Sequence, residues 1–313
     1  MADESGRGGA VVGTGRRPRA RRSDDALAQA LTDASYEILP FKGTEEQVLE
    51  HVPTSVRLTV TATEAKGLEP TIELAARLAA RGYRTAPHLV ARLVEDGTHL
   101  DAIVGRLAEA GVEGVFVVGG DADRPTSTYP DALALLEALE ARDHPFTRIG
   151  IGGYPEGHGH IPAEAIERAL GDKARHANLL ISQLCFAPAT TVRWARSLHE
   201  RGIELPIRVG VPGPVSRQKL VRISAGLGLG QSARFLRKQQ SMLWRFFLPG
   251  GYSPDRLVSG LAPAIGRSDN GIKGFHFFTF NELAKTEAWR QARLAELPPA
   301  TASVRHRPSE GIQ

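Results

Sequence analysis

The 313-residue chain is 42% hydrophobic and 24% charged, enough apolar material for one large core, and its single cysteine, Cys185, excludes an internal disulfide and a cysteine-rich zinc site. Its net charge of +4 is confined to residues 1–22, where Arg7, Arg16, Arg17, Arg19, Arg21 and Arg22 face only Asp3 and Glu4; the remainder is neutral, which argues against a nucleic-acid-binding body. No apolar run approaches the ~20 residues of a membrane span, and no apolar signal core follows the paired arginines, so a reducing cytoplasm is the expected compartment.

Residues 1–24, rich in Gly and Arg, bury too little surface to offset their ordering entropy and are expected to form a disordered arm, with an RNA- or partner-binding arm as the alternative. From residue 25 to 297, short β-branched or aromatic runs alternate with segments of helical periodicity. Eight such runs are expected to be strands: residues 35–40, 55–60, 85–90, 114–120, 148–155, 179–185, 207–213 and 274–280. Between them, apolar residues recur at helical spacing, as in Ile72, Leu74, Ala75, Leu78 and Ala79. Eight βα units without a Gly-rich dinucleotide fingerprint predict a single α/β domain, a (β/α)8 barrel of the TIM type. Gly226-Leu-Gly-Leu-Gly230 follows a helical stretch rather than a strand, so it reads as a connector and not a phosphate cradle, and residues 234–247 read as an amphipathic outer helix. Residues 298–313 are expected to be a loose tail.

Barrels of this type gather their chemistry at the C-terminal ends of the strands, which draws attention to the polar residues there. Glu37 lies inside the first run, Thr59 and Thr61 end the second, His88 sits in the third and Asp121 follows the fourth. Tyr154-Pro-Glu-Gly-His158 follows the fifth, Gln183 lies in the sixth, and His276, Thr279 and Asn281 mark the eighth. A carboxylate in an apolar strand either pairs or takes a raised pKa, so Glu37 is expected to hold a proton at neutral pH, while Asp121, in a hydrated turn, stays anionic. Such a division makes an acid and an electrostatic stabiliser; two unrelated structural carboxylates are the alternative. His158 and His160 alternate as metal ligands can, but no third ligand lies near, and no metal is expected.

The same residues carry a resemblance to the methylenetetrahydrofolate reductase family over residues 35–282. Ser35-Tyr-Glu-Ile-Leu-Pro40 resembles its opening SFEFFPP, Arg57-Leu-Thr-Val60 its second-strand threonine segment, and Ala86-Pro-His-Leu89 its PHLT. Gly119-Gly-Asp121 resembles its RGD, Gly153-Tyr-Pro-Glu-Gly-His158 its YPEGH, Ile181-Ser-Gln183 its ITQ, and Phe275-His-Phe-Phe-Thr-Phe-Asn281 its FHFYTLN. The resemblance implies reduction of methylenetetrahydrofolate to methyltetrahydrofolate by NAD(P)H, usually through bound FAD. It implies Glu37 as general acid, Asp121 as stabiliser of the cation, and Glu37, Asp121, Gln183 and Asn281 as folate contacts. It places cofactor contacts at Thr59, His88, Gly119, Asp121, Tyr129, Tyr154, His158 and Lys173, with Ala132 and Leu133 closing over the ring.

Several positions depart from the family pattern. Gly119 replaces the arginine of RGD, and Asp172 stands where the family has a lysine, with Lys173 adjacent. Loss of one diphosphate-pairing cation costs on the order of 1.5–3 kcal/mol. Ser224 stands near a family aromatic and Glu282 at a family arginine. Two routes therefore stay open: hydride passing through FAD, or directly from the nicotinamide. A folate-binding barrel without turnover is the alternative from another class.

Overall fold

The computed structural model describes residues 18–62, 66–120, 127–158, 161–216 and 252–298. Eight parallel strands close into a barrel in sequence order, β1 pairing both β2 and β8. They are β1 Ser35–Ile38, β2 Arg57–Val60, β3 Thr85–Val90, β4 Gly114–Val118, β5 Arg148–Gly153, β6 Leu179–Ser182, β7 Ile207–Pro212 and β8 Ile272–Phe278. Seven of the eight expected runs contain their strand, the eighth starts two residues inside β8, and the expected (β/α)8 barrel is the observed fold.

Helices α2 Thr44–His51, α3 Glu69–Ala80, α4 Gly97–Glu109, α5 Ala132–Glu140, α6 Ala163–Ala174 and α7 Pro188–Glu200 follow the first six strands; α8 Asp255–Leu261 precedes β8, and α9 Leu283–Ala295 follows it. Their apolar stripes, such as Ile72, Leu74, Ala75 and Leu78 of α3, are buried against the outward residues of the strands. Asp96 and Asp131 accept hydrogen bonds from the backbone of His99 and Ala134 and so cap α4 and α5. Among the described residues no helix is long and apolar enough to cross a membrane.

Helix α1, Pro18–Thr32, begins inside the segment expected to be a disordered arm. The reason lies in its second half, where Leu27, Ala28, Ala30 and Leu31 are buried against the barrel. Residues 1–17 and the expected tail from 299 onward lie outside the described residues, as do Asp121, His160, the glycine-rich connector, Ser224 and the expected helix at 234–247.

The inner wall is uneven by design of its glycines. A methyl group at Gly150 would lie 2.7 Å from the Phe116 ring, and one at Gly210 would lie 2.2 Å from the Ser182 carbonyl and 2.6 Å from Phe278. Both positions therefore exclude any larger residue, and two phenyl rings lie across the barrel beneath the rim.

Candidate active site

Side chains alternate along β1: Tyr36 and Ile38 face the helices, while Ser35 and Glu37 face the barrel interior. Glu37 is the focus. Its side chain is 18% exposed, and its Oε2 lies 3.7 Å from His88 Nε2 of β3 and 3.9 Å from His276 Nε2 of β8. Each imidazole is backed by one of the two phenyl rings, His88 by Phe116 at 4.8 Å and His276 by Phe278 at 5.1 Å between centroids. Behind His276, the Ser35 hydroxyl lies 2.9 Å from Nδ1. With Ser35 donating there, the ring proton of His276 sits on Nε2, toward Glu37.

This setting overturns one expectation. Burial is the strongest influence on Glu37 and pushes its carboxyl upward, yet the facing His276 and the charge His88 can carry outweigh it, and the carboxyl is held below the ordinary Glu value. Glu37 therefore does not rest as a neutral acid. Burial also holds His88 down, to about 4, so at neutral pH His88 is an uncharged ring and His276 is the partner that acts. Both contacts are longer than hydrogen bonds, so the carboxylate keeps acceptor capacity for an incoming group.

Around this centre stand the other expected residues. Thr59 is level with Glu37 in the β1–β2 register, 5% exposed, and its hydroxyl oxygen has no partner among the described residues. A buried orphan hydroxyl costs about 1–3 kcal/mol, which a bound polar ring edge would offset. Tyr154 and His158 follow β5 and meet edge to face at 5.5 Å. Gln183 directly follows β6, with its Oε1 accepting from the Leu184 backbone at 2.9 Å.

Lys173 on α6 is largely buried; burial lowers its pKa and the charge of Asp131 opposes that. Neighbouring Asp172 is paired with Arg175 at 2.9 Å. Gly119 follows β4, its carbonyl accepting from the Arg92 backbone at 3.1 Å. Tyr129 packs on the core beyond β4, where a methyl group at Gly97 would lie 3.9 Å from its hydroxyl. Ala132, the first residue of α5, is buried.

Asn281 is bonded into the scaffold at the end of β1. Its Oδ1 accepts from the Leu39 backbone at 2.9 Å, and its Nδ2 donates to the Leu39 carbonyl at 3.0 Å and to Thr44 Oγ1 at 2.8 Å. Phe280 and Asn281 both adopt positive φ, 51° and 55°, so the chain bends sharply to bring this amide onto the end of β1. Thr279 adds a hydrogen bond to the Glu37 carbonyl at 2.6 Å. Together they clip the strand that carries the carboxylate. Among the described residues no group of three His, Cys, Asp or Glu is arranged to hold a metal ion.

Ser35 and His276 are the members that sequence reasoning passed over as partners of Glu37. Their period-two spacing, with Ser35 two residues before Glu37, was the available signal.

The family model described as methylenetetrahydrofolate reductase matches residues 41–227. That span contains Thr59, His88, Gly119, Tyr129, Tyr154, His158, Lys173 and Gln183, and stops short of Glu37 and His276. Among solved structures, a Burkholderia cenocepacia protein provisionally named a lyase/mutase is similar at 16% identity and a TM-score of 0.42, over 89% of this chain and 86% of that one. A provisionally named phosphonomutase from the same organism is similar at 15% identity and a TM-score of 0.38, over 66% and 88%. Neither name transfers at that level of likeness.

Proposed function

This chain belongs to the methylenetetrahydrofolate reductase family, and from that premise we propose that it reduces the one-carbon bridge of methylenetetrahydrofolate to a methyl group with electrons from NADH or NADPH. The observation that carries the reading is the position of Glu37, a carboxylate on the inner wall with spare acceptor capacity, backed by His276 and Ser35.

The bridge joins two nitrogens, and protonating one of them opens the ring to a reactive iminium. Glu37 delivers that proton. A pterin stacked on the rim removes the remaining exposure of its side chain and strengthens the desolvation that favours the acid form. His276, with its Nδ1 tied to Ser35, points its Nε2–H at Glu37 and orients the carboxyl, which takes its proton from solvent before the folate covers it. Gln183 presents its amide nitrogen to the pterin, and Asp121 stabilises the cation. The Asn281 clip keeps Glu37 in place while the charge moves.

The orphan hydroxyl of Thr59 fits the edge of a flavin ring, with His88, Tyr154 and His158 along the same groove and Lys173 as the cation for the diphosphate. A flavin bound there supplies two-electron transfer between nicotinamide and folate. Gly119, in place of an arginine, favours a second reading in which the nicotinamide itself fills the groove and passes hydride directly to the iminium. The visible spectrum of the purified protein, with NADH oxidation measured with and without added FAD, separates the two: turnover by a colourless, flavin-free preparation eliminates the flavin route. Folate binding with no turnover under either condition sinks the reductase reading and leaves a binding protein.

A further inference from the structure

The proposed reaction uses the C-terminal end of the barrel; at the opposite end, four arginines converge. Arg57, Arg148 and Arg208 stand at the starts of β2, β5 and β7, and Arg84 directly precedes β3. Arg148 and Arg208 share strand parity with Gly150 and Gly210, whose missing side chains the interior rings occupy, so alternation turns them inward. Arg57 and Arg208 both donate to the carbonyl of Asp33 just past α1, and Arg57 also meets the Asp33 carboxylate at 3.1 Å. Arg84 donates to the Ser55 carbonyl at 2.8 Å.

These contacts leave the cluster unsatisfied. Among the described residues, Arg57 Nε is buried without a partner and the Arg148 guanidinium forms no hydrogen bond or close ion pair, only its backbone N–H donating to the Glu113 carbonyl. Asp33 and Glu113 bring negative charge, so four guanidiniums against two carboxylates leave two charges unbalanced. Burial and this crowding hold Arg208 down to about 10 and lower Arg148 as well. Three half-buried guanidinium forks and the exposed Arg84, left unneutralised, match the geometry and charge of a tetrahedral oxyanion.

We propose that the N-terminal mouth of the barrel binds a doubly charged oxyanion, a phosphate ion or the phosphate group of a small ester, with Arg148 as its anchor and Arg57 and Arg84 beside it. This site lies one inner layer beneath Glu37, since Arg57 is level with Ser35, and takes no part in the reduction.

The test is a titration of the full chain in phosphate-free buffer with millimolar inorganic phosphate, with glycerol phosphate in a parallel arm and with chloride at matched ionic strength. Unfolding temperature and calorimetric heat are read together. Phosphate raises the unfolding temperature with the logarithm of its concentration, by about 5 °C at a hundredfold excess over its dissociation constant, and chloride does not. A stronger response to the ester assigns the phosphoryl group of a metabolite; a response to phosphate alone assigns the free ion. Arg148→Gln loses both signals, yet without phosphate it is at least as stable as the parent, because a like-charge repulsion has been removed. Arg84→Gln weakens binding roughly tenfold by calorimetry. A chloride response equal to that of phosphate, or a phosphate response that Arg148→Gln retains, overturns the site.

Discussion

The two faces of β1 each meet a buried carboxylate, and the two are opposites. On the outer face Glu287 of α9 is saturated: it accepts from Tyr36 at 2.6 Å, from Arg290 at 2.9 and 2.7 Å, and from Gln291 at 2.7 Å. On the inner face Glu37 has two imidazoles beyond hydrogen-bond length. Of two adjacent residues on one strand, Tyr36 thus bonds an acid whose bonds are complete, while Glu37 is itself an acid with acceptor capacity to spare. A saturated buried ion holds the fold together, whereas an under-bonded one costs stability and is free to react.

The largest expected effect tests the inner acid. Glu37→Gln lowers turnover about 10²–10⁴-fold while leaving folate binding and the unfolding temperature close to the parent values. An unchanged rate removes Glu37 from the mechanism. The outer acid is expected to behave in reverse: Arg290→Ala strands the Glu287 charge and costs about 3–5 kcal/mol in urea unfolding, with the rate per folded molecule preserved. Burial pushes the Glu287 carboxyl up, but its bonds to Arg290, Tyr36 and Gln291 prevail and hold it below the ordinary range. That stability is present above the unfolded pKa and is lost as pH falls through the folded one. Loss of activity without loss of stability in Arg290→Ala would erase the contrast.

His88 contributes a pH signature of its own. Burial lowers it from 6.5 to about 4, so between those values the unfolded chain binds a proton that the folded one does not. Stability therefore falls as pH drops through that window, by up to about 3 kcal/mol, and His88→Gln flattens the profile of the urea midpoint against pH. An unchanged slope in that variant places the titration elsewhere.

The smallest expected effect lies at the rim beyond β4. A methyl group at Gly119 would sit 3.8 Å from the Ala132 nitrogen, an ordinary contact, whereas Gly120 has φ 88° and a methyl there would lie 2.4 Å from Val90. The backbone therefore demands glycine at 120 and merely permits it at 119. Gly119→Arg is expected to raise FAD affinity roughly tenfold, read by quenching of flavin fluorescence, one charge-assisted contact being worth about 1.5–3 kcal/mol. No gain in affinity removes the flavin from this groove.

Much of this was legible in the chain. Alternating runs such as residues 85–90, and stripes such as Ile72, Leu74, Ala75 and Leu78, announced strand and helix at their own positions, and eight repeats announced the barrel. Glu37 stood out as a carboxylate among apolar neighbours. Other features escaped because they depend on distant chain. His276 is 241 residues from Ser35 and reaches it only because β8 closes onto β1. Asn281 reads as a ligand contact in its motif, and its bonds to Leu39 and Thr44 across the same seam could not be read there. The first turns of α1 were lost in the arginine-rich composition, because its apolar residues come only at its end.

Sequence by itself determined the repeating unit, the closed barrel and the roster of polar residues on its rim, because apolar periodicity is a local property that each segment carries wherever it lies. Tertiary structure alone decided which of those residues touch, and that Glu37 rests as a carboxylate rather than an acid. Desolvation and charge act through space, and the groups that set them meet only when the eighth strand returns to the first.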